Sequence, residues 1–446
     1  MSFSFKGAIA SLTLASTVAL AGCGDGGKGF DPRSQIGANP VLPEPNQYLV
    51  PPMRVAKVIG WAPGEHPTAP PGLQVQALAR NLNHPRNIAL LPNGDILVVE
   101  SQGPGLDPIL RPKSPIVAWV EKRATVQSGP GASGESNRVT LLRDSNGDGV
   151  PEVRTVLLDH LFSPFGIVFA DNYLYVAATD GILRYPFVPG QTRITAPPTL
   201  LTSLPGGPID HHWTKSLTLS PDGKTLFATV GSNSNIVENG FEAEHGRAAV
   251  WEIDRATGRA REFAGGLRNP NSPNFYPGTN TLWVVVNERD ELGPNLVPDY
   301  LTSVRDGGFY GWPYSYYGRH VDPRVHPQRP DMVAKAIPPD YALSSHVAAL
   351  GLTFYTGTNL PPQYRGGAFI GEHGSWDRDE FNGYKVAFVP FANGRPSGMA
   401  QDFLTGFLTG DGKTHGRPVG VATDRFGALL VADDSGNIVW RVSKAG

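Results

Sequence analysis

The chain has 446 residues, a formal charge of −2 and only 17% charged residues, which excludes a basic nucleic-acid-binding surface. Its 53 glycines and 42 prolines follow no collagen period and alternate with frequent apolar runs, so the composition points to many short strands joined by turns rather than to disorder. A single cysteine leaves no disulfide framework.

The first segment reads as an address. Lys6 precedes an apolar, small-residue run over 7–20 that is too short to span a bilayer with stable flanks. Leu20-Ala21-Gly22-Cys23 then has the form of a bacterial lipobox. The expectation is a signal peptide over 1–22 and lipidation of Cys23, which would place the mature domain in the cell envelope, facing the periplasm and tethered to a membrane surface. An ordinary signal peptide with an incidental cysteine is the alternative. Residues 23–70 are rich in Gly, Pro and Asn and read as a tether and irregular lead-in.

From residue 71 to 446 one unit recurs: an apolar strand, a polar turn and a second apolar strand. Copies stand at 87–101 (NIALLPNGDILVVES), 166–179 (GIVFADNYLYVAAT), 217–232 (LTLSPDGKTLFATVGS), 274–288 (NFYPGTNTLWVVVNE) and 420–433 (GVATDRFGALLVAD). Pro-Asn-Gly and Pro-Asp-Gly supply the positive φ angles of tight hairpins, and Asp171, Asp222 and Asp424 mark three of the turns. The long gap before the last copy leaves room for a sixth, over 352–390. With no sustained helical period, the predicted fold is all-β, a six-bladed β-propeller. Residues 72–78 and 438–442 would share one blade and close the ring. A pair of sandwiches and a seven-bladed propeller are the alternatives. Two long loops, 103–138 and the aromatic-rich 306–346, interrupt the pattern. The rings of 307–317 would either line a ligand site or pack over the blade edges.

Cations recur where strands begin: His84-Pro85-Arg86, His211-His212-Trp213-Thr214-Lys215, Arg268-Asn269, His373 through Arg378, and His415-Gly416-Arg417. In a ring of blades these positions converge, so Arg86, Lys215, Arg268, Arg378 and Arg417 would line one positive mouth suited to a ligand with several carboxylates. His212 offers a base near neutral pH. A separate segment, Asp144-Ser145-Asn146-Gly147-Asp148, starts like a calcium loop. Thr155 stands where a bidentate Glu would be needed, although Glu152 could serve as a later ligand. A metal-free turn is the alternative.

Together the His-Trp-Thr-Lys stretch, Leu-Arg-Asn-Pro, Val-Asn-Glu-Arg-Asp-Glu-Leu-Gly-Pro (286–294), Gly-Phe-Tyr-Gly-Trp-Pro, Gly-Glu-His-Gly-Ser-Trp-Asp-Arg and Pro-Val-Gly-Val-Ala-Thr-Asp (418–424) carry a resemblance. In that order they resemble the glucose/sorbosone dehydrogenase family, and its sorbosone-dehydrogenase-like branch above all. The resemblance implies a six-bladed propeller that uses pyrroloquinoline quinone (PQQ) and calcium to oxidise a sugar or sugar-aldehyde. It implies His212 as the general base, with His211 as fallback. Arg268, Asn269 and Arg417, and more loosely Arg378, would contact the quinone. The Asp290-Glu291 segment would give oxygens to its calcium. Lys215 stands where Arg is more usual. Ser232 stands near the position of an Asp that orients the base, a task Asp210 would take over. His373 would be a packed, hydrogen-bonded residue. Without Cys-x-x-Cys-His for haem, electrons would leave to an external acceptor. A calcium-dependent propeller hydrolase and a non-catalytic binding lipoprotein are the competing functions.

Overall fold

The computed structural model describes residues 29–48, 52–104, 136–207 and 211–446. Six four-stranded antiparallel units make up the ring. Blade 1 comprises Pro85–Leu90, Ile96–Glu100, Arg138–Arg143 and Val153–Leu158. Blade 2 comprises Gly166–Ala170, Tyr173–Ala178, Gly181–Pro186 and Thr199–Ser203. Blade 3 is Leu217–Leu219, Thr225–Val230, Ala249–Asp254 and Ala260–Gly265, and blade 4 is Asn269–Phe275, Leu282–Asn287, Pro298–Val304 and Tyr341–Ser345. Blade 5 runs through Ala349–Phe354, Ala368–Glu372, Lys385–Val389 and Gln401–Leu404. Blade 6 is Pro418–Thr423, Leu429–Asp433 and Ile438–Lys444, and Leu73–Ala79 completes it from the other end of the chain. This is the closure expected from the sequence, and the sixth repeat falls in blade 5. Among the described residues the single α-helix is Pro330–Lys335.

The apolar runs explain the stacking. Side chains alternate along a strand, so a strand buried on both faces reads as continuously apolar. In blade 1, Leu97 and Val99 pack with Ile167, Leu174 and Val176 of blade 2. Ile96 and Val98 turn the other way, onto Leu430 and Ala432 of blade 6. Near the axis the blades crowd together, and a Cβ on Gly371 would overlap the Val419 carbonyl of the next blade.

The described lead-in is pinned to the ring at several points. Ile36–Gly37 adds to the edge strand of blade 4, and the buried Gln35 accepts from Ser345 and donates to Asn295 O at 2.5 Å. Trp61 donates to Asp433 Oδ2 at 2.7 Å and meets Trp440 edge-on, with centroids 5.2 Å apart. Trp440 is fully buried on the closing blade and also donates to Asp433. We expect Trp440→Ala to cost about 3–5 kcal/mol in denaturant unfolding, because the cavity opens at the ring closure.

Candidate active site at the propeller mouth

The inner strands of the six blades lie side by side around the axis. Each runs from the same end of the ring toward a hairpin at the other. Residues just before the inner strands, and those ending the second strands, therefore share one mouth. Contacts link them around it. Asn87 Nδ2 donates to Phe165 O at 3.1 Å, Thr214 Oγ1 to Asn271 Oδ1 at 3.3 Å and Asn287 Nδ2 to Ala349 O at 2.7 Å. Arg86 sits 5.8 Å from the Trp213 ring and pairs with Asp434 at 2.5 Å.

His212 lies on the blade 3 wall. Its Nδ1 stands 2.9 Å from the Ser232 carbonyl and 3.0 Å from Ser232 Oγ. Ser232 Oγ spends its own proton on Ser234 O at 2.6 Å. Both neighbours of Nδ1 therefore accept, so Nδ1 carries the proton and Nε2 keeps its lone pair. Burial, then His211 and Arg268, push the imidazole pKa well below the ordinary value. His212 is thus a neutral base with a fixed tautomer. The orienting task falls to the Ser232 backbone; Asp210 lies outside the described residues. His211 stacks edge-on against His212 with centroids 4.7 Å apart. Gly231 brings Asn269 close, since a Cβ there would overlap both Asn269 Oδ1 and His212 Cβ.

Arg268, next to Asn269, is 3% exposed. It donates to Glu288 O at 2.5 Å, to Asn235 Oδ1 at 3.0 Å and to Asp290 Oδ2 at 3.1 Å. Its Nε and Asn269 Oδ1 are sealed from solvent without a hydrogen bond among the described residues. Asp290 also meets His346 Nδ1 at 3.2 Å, while His346 Nε2 lies 3.2 Å from Gly293 O. Both ring nitrogens face acceptors, so His346 is a buried imidazolium. Burial alone would lower its pKa, but Asp290 and Asp377 outweigh it and raise the pKa. Burial alone would raise Asp290; Arg268 and His346 instead hold it down to about 2. Burial raises Asp377 to about 7 against the opposing pull of His346. Asp290, His346 and Asp377 present ligand atoms within 4.8 Å of one another, but the imidazolium already neutralises the group. Glu291 pairs instead with Arg324 at 2.7 Å.

The facing wall comes from blades 5, 6 and 1. Asp434 receives His373 Nε2 at 2.9 Å as well as Arg86. Burial would raise its carboxyl, but His373, Arg86 and Arg417 hold it far below the usual range. Arg417 donates to Tyr384 OH at 2.9 Å and lies 5.0 Å from that ring. Its backbone N–H reaches Asp433 Oδ1 at 2.7 Å, and its Nε is buried without a partner. Among the described residues no carboxylate pairs with the Arg417 guanidinium.

Other predicted residues turn their charges inward or lie at other places. Lys215 is fully buried and turns Nζ back to Trp213 O at 3.1 Å. Arg378 is fully buried too, with Nε on Glu380 O at 2.8 Å and NH1 unpartnered. The Asp144 turn joins the outer strands of blade 1 at the end away from the mouth. There Asp144 accepts from Gly147 and Gly149 N–H and pairs with Arg425 at 2.9 Å, and Asn146 accepts from Asp148 N at 2.9 Å. Asp144, Asp148 and Glu152 converge within 4.8 Å, yet their bonds are those of a closed turn. The aromatic loop packs: Tyr310, Tyr316 and Tyr317 join the blade 4 core. Trp312 reaches the mouth side, donating to Asn235 O at 3.0 Å, and Tyr317 N donates to Glu288 Oε1 at 3.2 Å. Cys23 and most of loop 103–138 lie outside the described residues.

Sequence reasoning missed Asp434, Asn235, His346 and Asp377. Asp434 had a signal in the repeat itself. The second strands end on Glu100, Asn287, Glu372 and Asp433, each paired with the opening of an inner strand, so this register delivers polar groups to the mouth.

The domain of unknown function DUF7133 matches residues 66–375. The chain belongs to the DUF7133 family. A TrAA12-like family matches 328–445 of the same propeller. An uncharacterized protein of Borreliella burgdorferi is 30% identical over 292 residues, 63% of this chain and 76% of that protein. Among solved structures, a Trichoderma reesei carbohydrate-active enzyme of family AA12 superposes with TM-score 0.68 at 19% identity, covering 88% of this chain and 100% of that one. The holo PQQ domain of Coprinopsis cinerea pyranose dehydrogenase gives 0.67 at 20% identity, covering 87% and 100%. The Escherichia coli soluble aldose sugar dehydrogenase gives 0.56 at 18%, covering 84% and 100%. These likenesses establish a common fold. No helix among the described residues of the DUF7133 propeller is long and apolar enough to cross a membrane.

Proposed function

We propose that this DUF7133 propeller is a PQQ-dependent oxidoreductase that oxidises a sugar or sugar-aldehyde, with His212 as general base. One observation carries the reading. A neutral imidazole with a free Nε2 shares its mouth with Arg417, whose guanidinium has no carboxylate partner among the described residues. The unmet Arg268 Nε and Arg417 Nε donors suit a ligand bearing carboxylates and carbonyls, and the unmet Asn269 Oδ1 suits an N–H or O–H group on it. Arg268, Asn269 and Arg417 would hold it, with Arg86 beside them. Lys215 and Arg378 would add positive potential from behind. The Asp290-Glu291 turn would face a calcium ion bound with the quinone. The quinone would supply the hydride acceptor. The chain's own part is to fix the substrate and to receive its hydroxyl proton on His212 Nε2.

The relatives support this. One similar solved structure is a holo PQQ domain, another is a PQQ-bound aldose sugar dehydrogenase from Streptomyces coelicolor, and a third is a calcium structure of the AA12 enzyme. A hydrolase reading would need free carboxylates for its metal, whereas Asp434 and Asp290 are both tied to Arg and His. The proposal extends to a signal peptide over 1–22, a lipid on Cys23, a catalytic domain over 71–446 facing the periplasm, and an external electron acceptor.

The test is reconstitution of the purified chain with PQQ and Ca²⁺, followed by aldoses and an artificial acceptor dye. We expect a spectral change on adding the quinone and sugar-dependent dye reduction. Neither signal would appear if the reading is wrong.

A further inference from the structure

We propose that His373, aimed by Asp434, is a second proton acceptor of the mouth, working from the wall opposite His212. The inference rests on the oxidoreductase reading above. His373 ends its ring bond on Asp434 at 2.9 Å, so Nε2 carries a proton and Nδ1 keeps a lone pair. Nδ1 has no hydrogen bond among the described residues and is not among the sealed atoms, and the side chain stays 16% exposed. Arg86 at 2.5 Å keeps Asp434 ionised from its other side. The charged groups facing the ring are Asp434, Arg417 and Arg86; burial outweighs Asp434, so the ring is neutral near pH 7. Nearby His84 also feels Arg86 and Asp434, but its Nδ1 is sealed from solvent. His346 has both nitrogens engaged. Among the described mouth residues, then, His373 is the imidazole that combines a carboxylate behind it with a free nitrogen in front.

The proposed reaction leaves work for a second acceptor. Oxidising one C–H–O–H unit to C=O removes two electrons and two protons. The quinone, when bound, would supply the acceptor for the electrons, and the external acceptor would take them on. One proton leaves the hydroxyl and goes to His212 Nε2, which has room for one. The other, carried by the C–H hydrogen, would be left as a proton once the external acceptor has taken both electrons. His373 Nδ1 takes that proton and becomes an imidazolium against Asp434, then returns it to solvent.

Two measurements decide this. In the first, His373→Gln is loaded with PQQ and Ca²⁺. The single-turnover spectral change on adding sugar should persist, while steady-state turnover at saturating acceptor falls about 100-fold. Steady-state turnover equal to that of the unaltered chain would overturn the proposal. In the second, the chain without cofactor is treated with diethyl pyrocarbonate, which modifies neutral imidazole, and the labelled sites are read by mass spectrometry. His373 should react, more slowly in Asp434→Asn, and added PQQ should protect it. An unreactive His373 would overturn the proposal without any assay of activity. If the unaltered chain oxidises no sugar but His373 labels as described, the dehydrogenase reading falls and the aimed imidazole stands.

Discussion

Replacing His212 with alanine should lower sugar-dependent dye reduction by about 10²–10⁴-fold, the range for loss of a positioned base, while the quinone still binds. Among the described residues its ring bonds to Ser232, and Arg268, Asn269 and Arg417 remain in place to hold a ligand. The pH profile gives the second readout. His212 has a pKa lowered by burial, His211 and Arg268, so it stays the free base at neutral pH. Activity should therefore hold as pH drops past the ordinary histidine value of 6.5 and fall only as the lowered value is approached. An acid limb centred on 6.5 would place the base on another residue.

Replacing Arg268 with methionine should be the most damaging single change at the mouth. It leaves the buried Asp290 carboxylate without its nearest guanidinium, and breaking such a pair costs about 3–5 kcal/mol. The effect should depend on pH. Asp290 is held at about 2, below its ordinary 3.8. A depressed carboxyl stabilises the fold above the unfolded value and loses that contribution as pH falls through the folded one. In the variant the carboxyl rises, so the stability gap between the two proteins should be full at pH 7 and narrow between about pH 4 and 2. Guanidinium unfolding at several pH values measures it. Since Arg268 also depresses His212, the histidine should titrate higher in the variant. A gap that stays constant with pH would mean the loss is packing alone.

The repeat was legible because it is local. The turn at Asn93-Gly94 and the positive φ of Asp171 and Asn172 fall where the hairpins were expected. The mouth was legible in outline, because one register of each blade delivers its residues to one end. Arg268 and Asn269 do stand beside His212, and Arg86 and Arg417 both act on Asp434. Lys215 and Arg378 read the same way in sequence, yet both are fully buried.

By itself the sequence determined the blade count, the point of closure and the end of the ring where chemistry gathers, since strand alternation and turn residues act over a few positions. Only the tertiary structure decided which charges meet. Asp434 lies 61 residues from His373, His346 lies 56 from Asp290, and Asp290 lies 22 from Arg268. No local rule links such residues. What joins them is the folding of separate blades around one axis, where burial makes an unpaired charge costly and Asp290 and Asp434 find their partners on other loops.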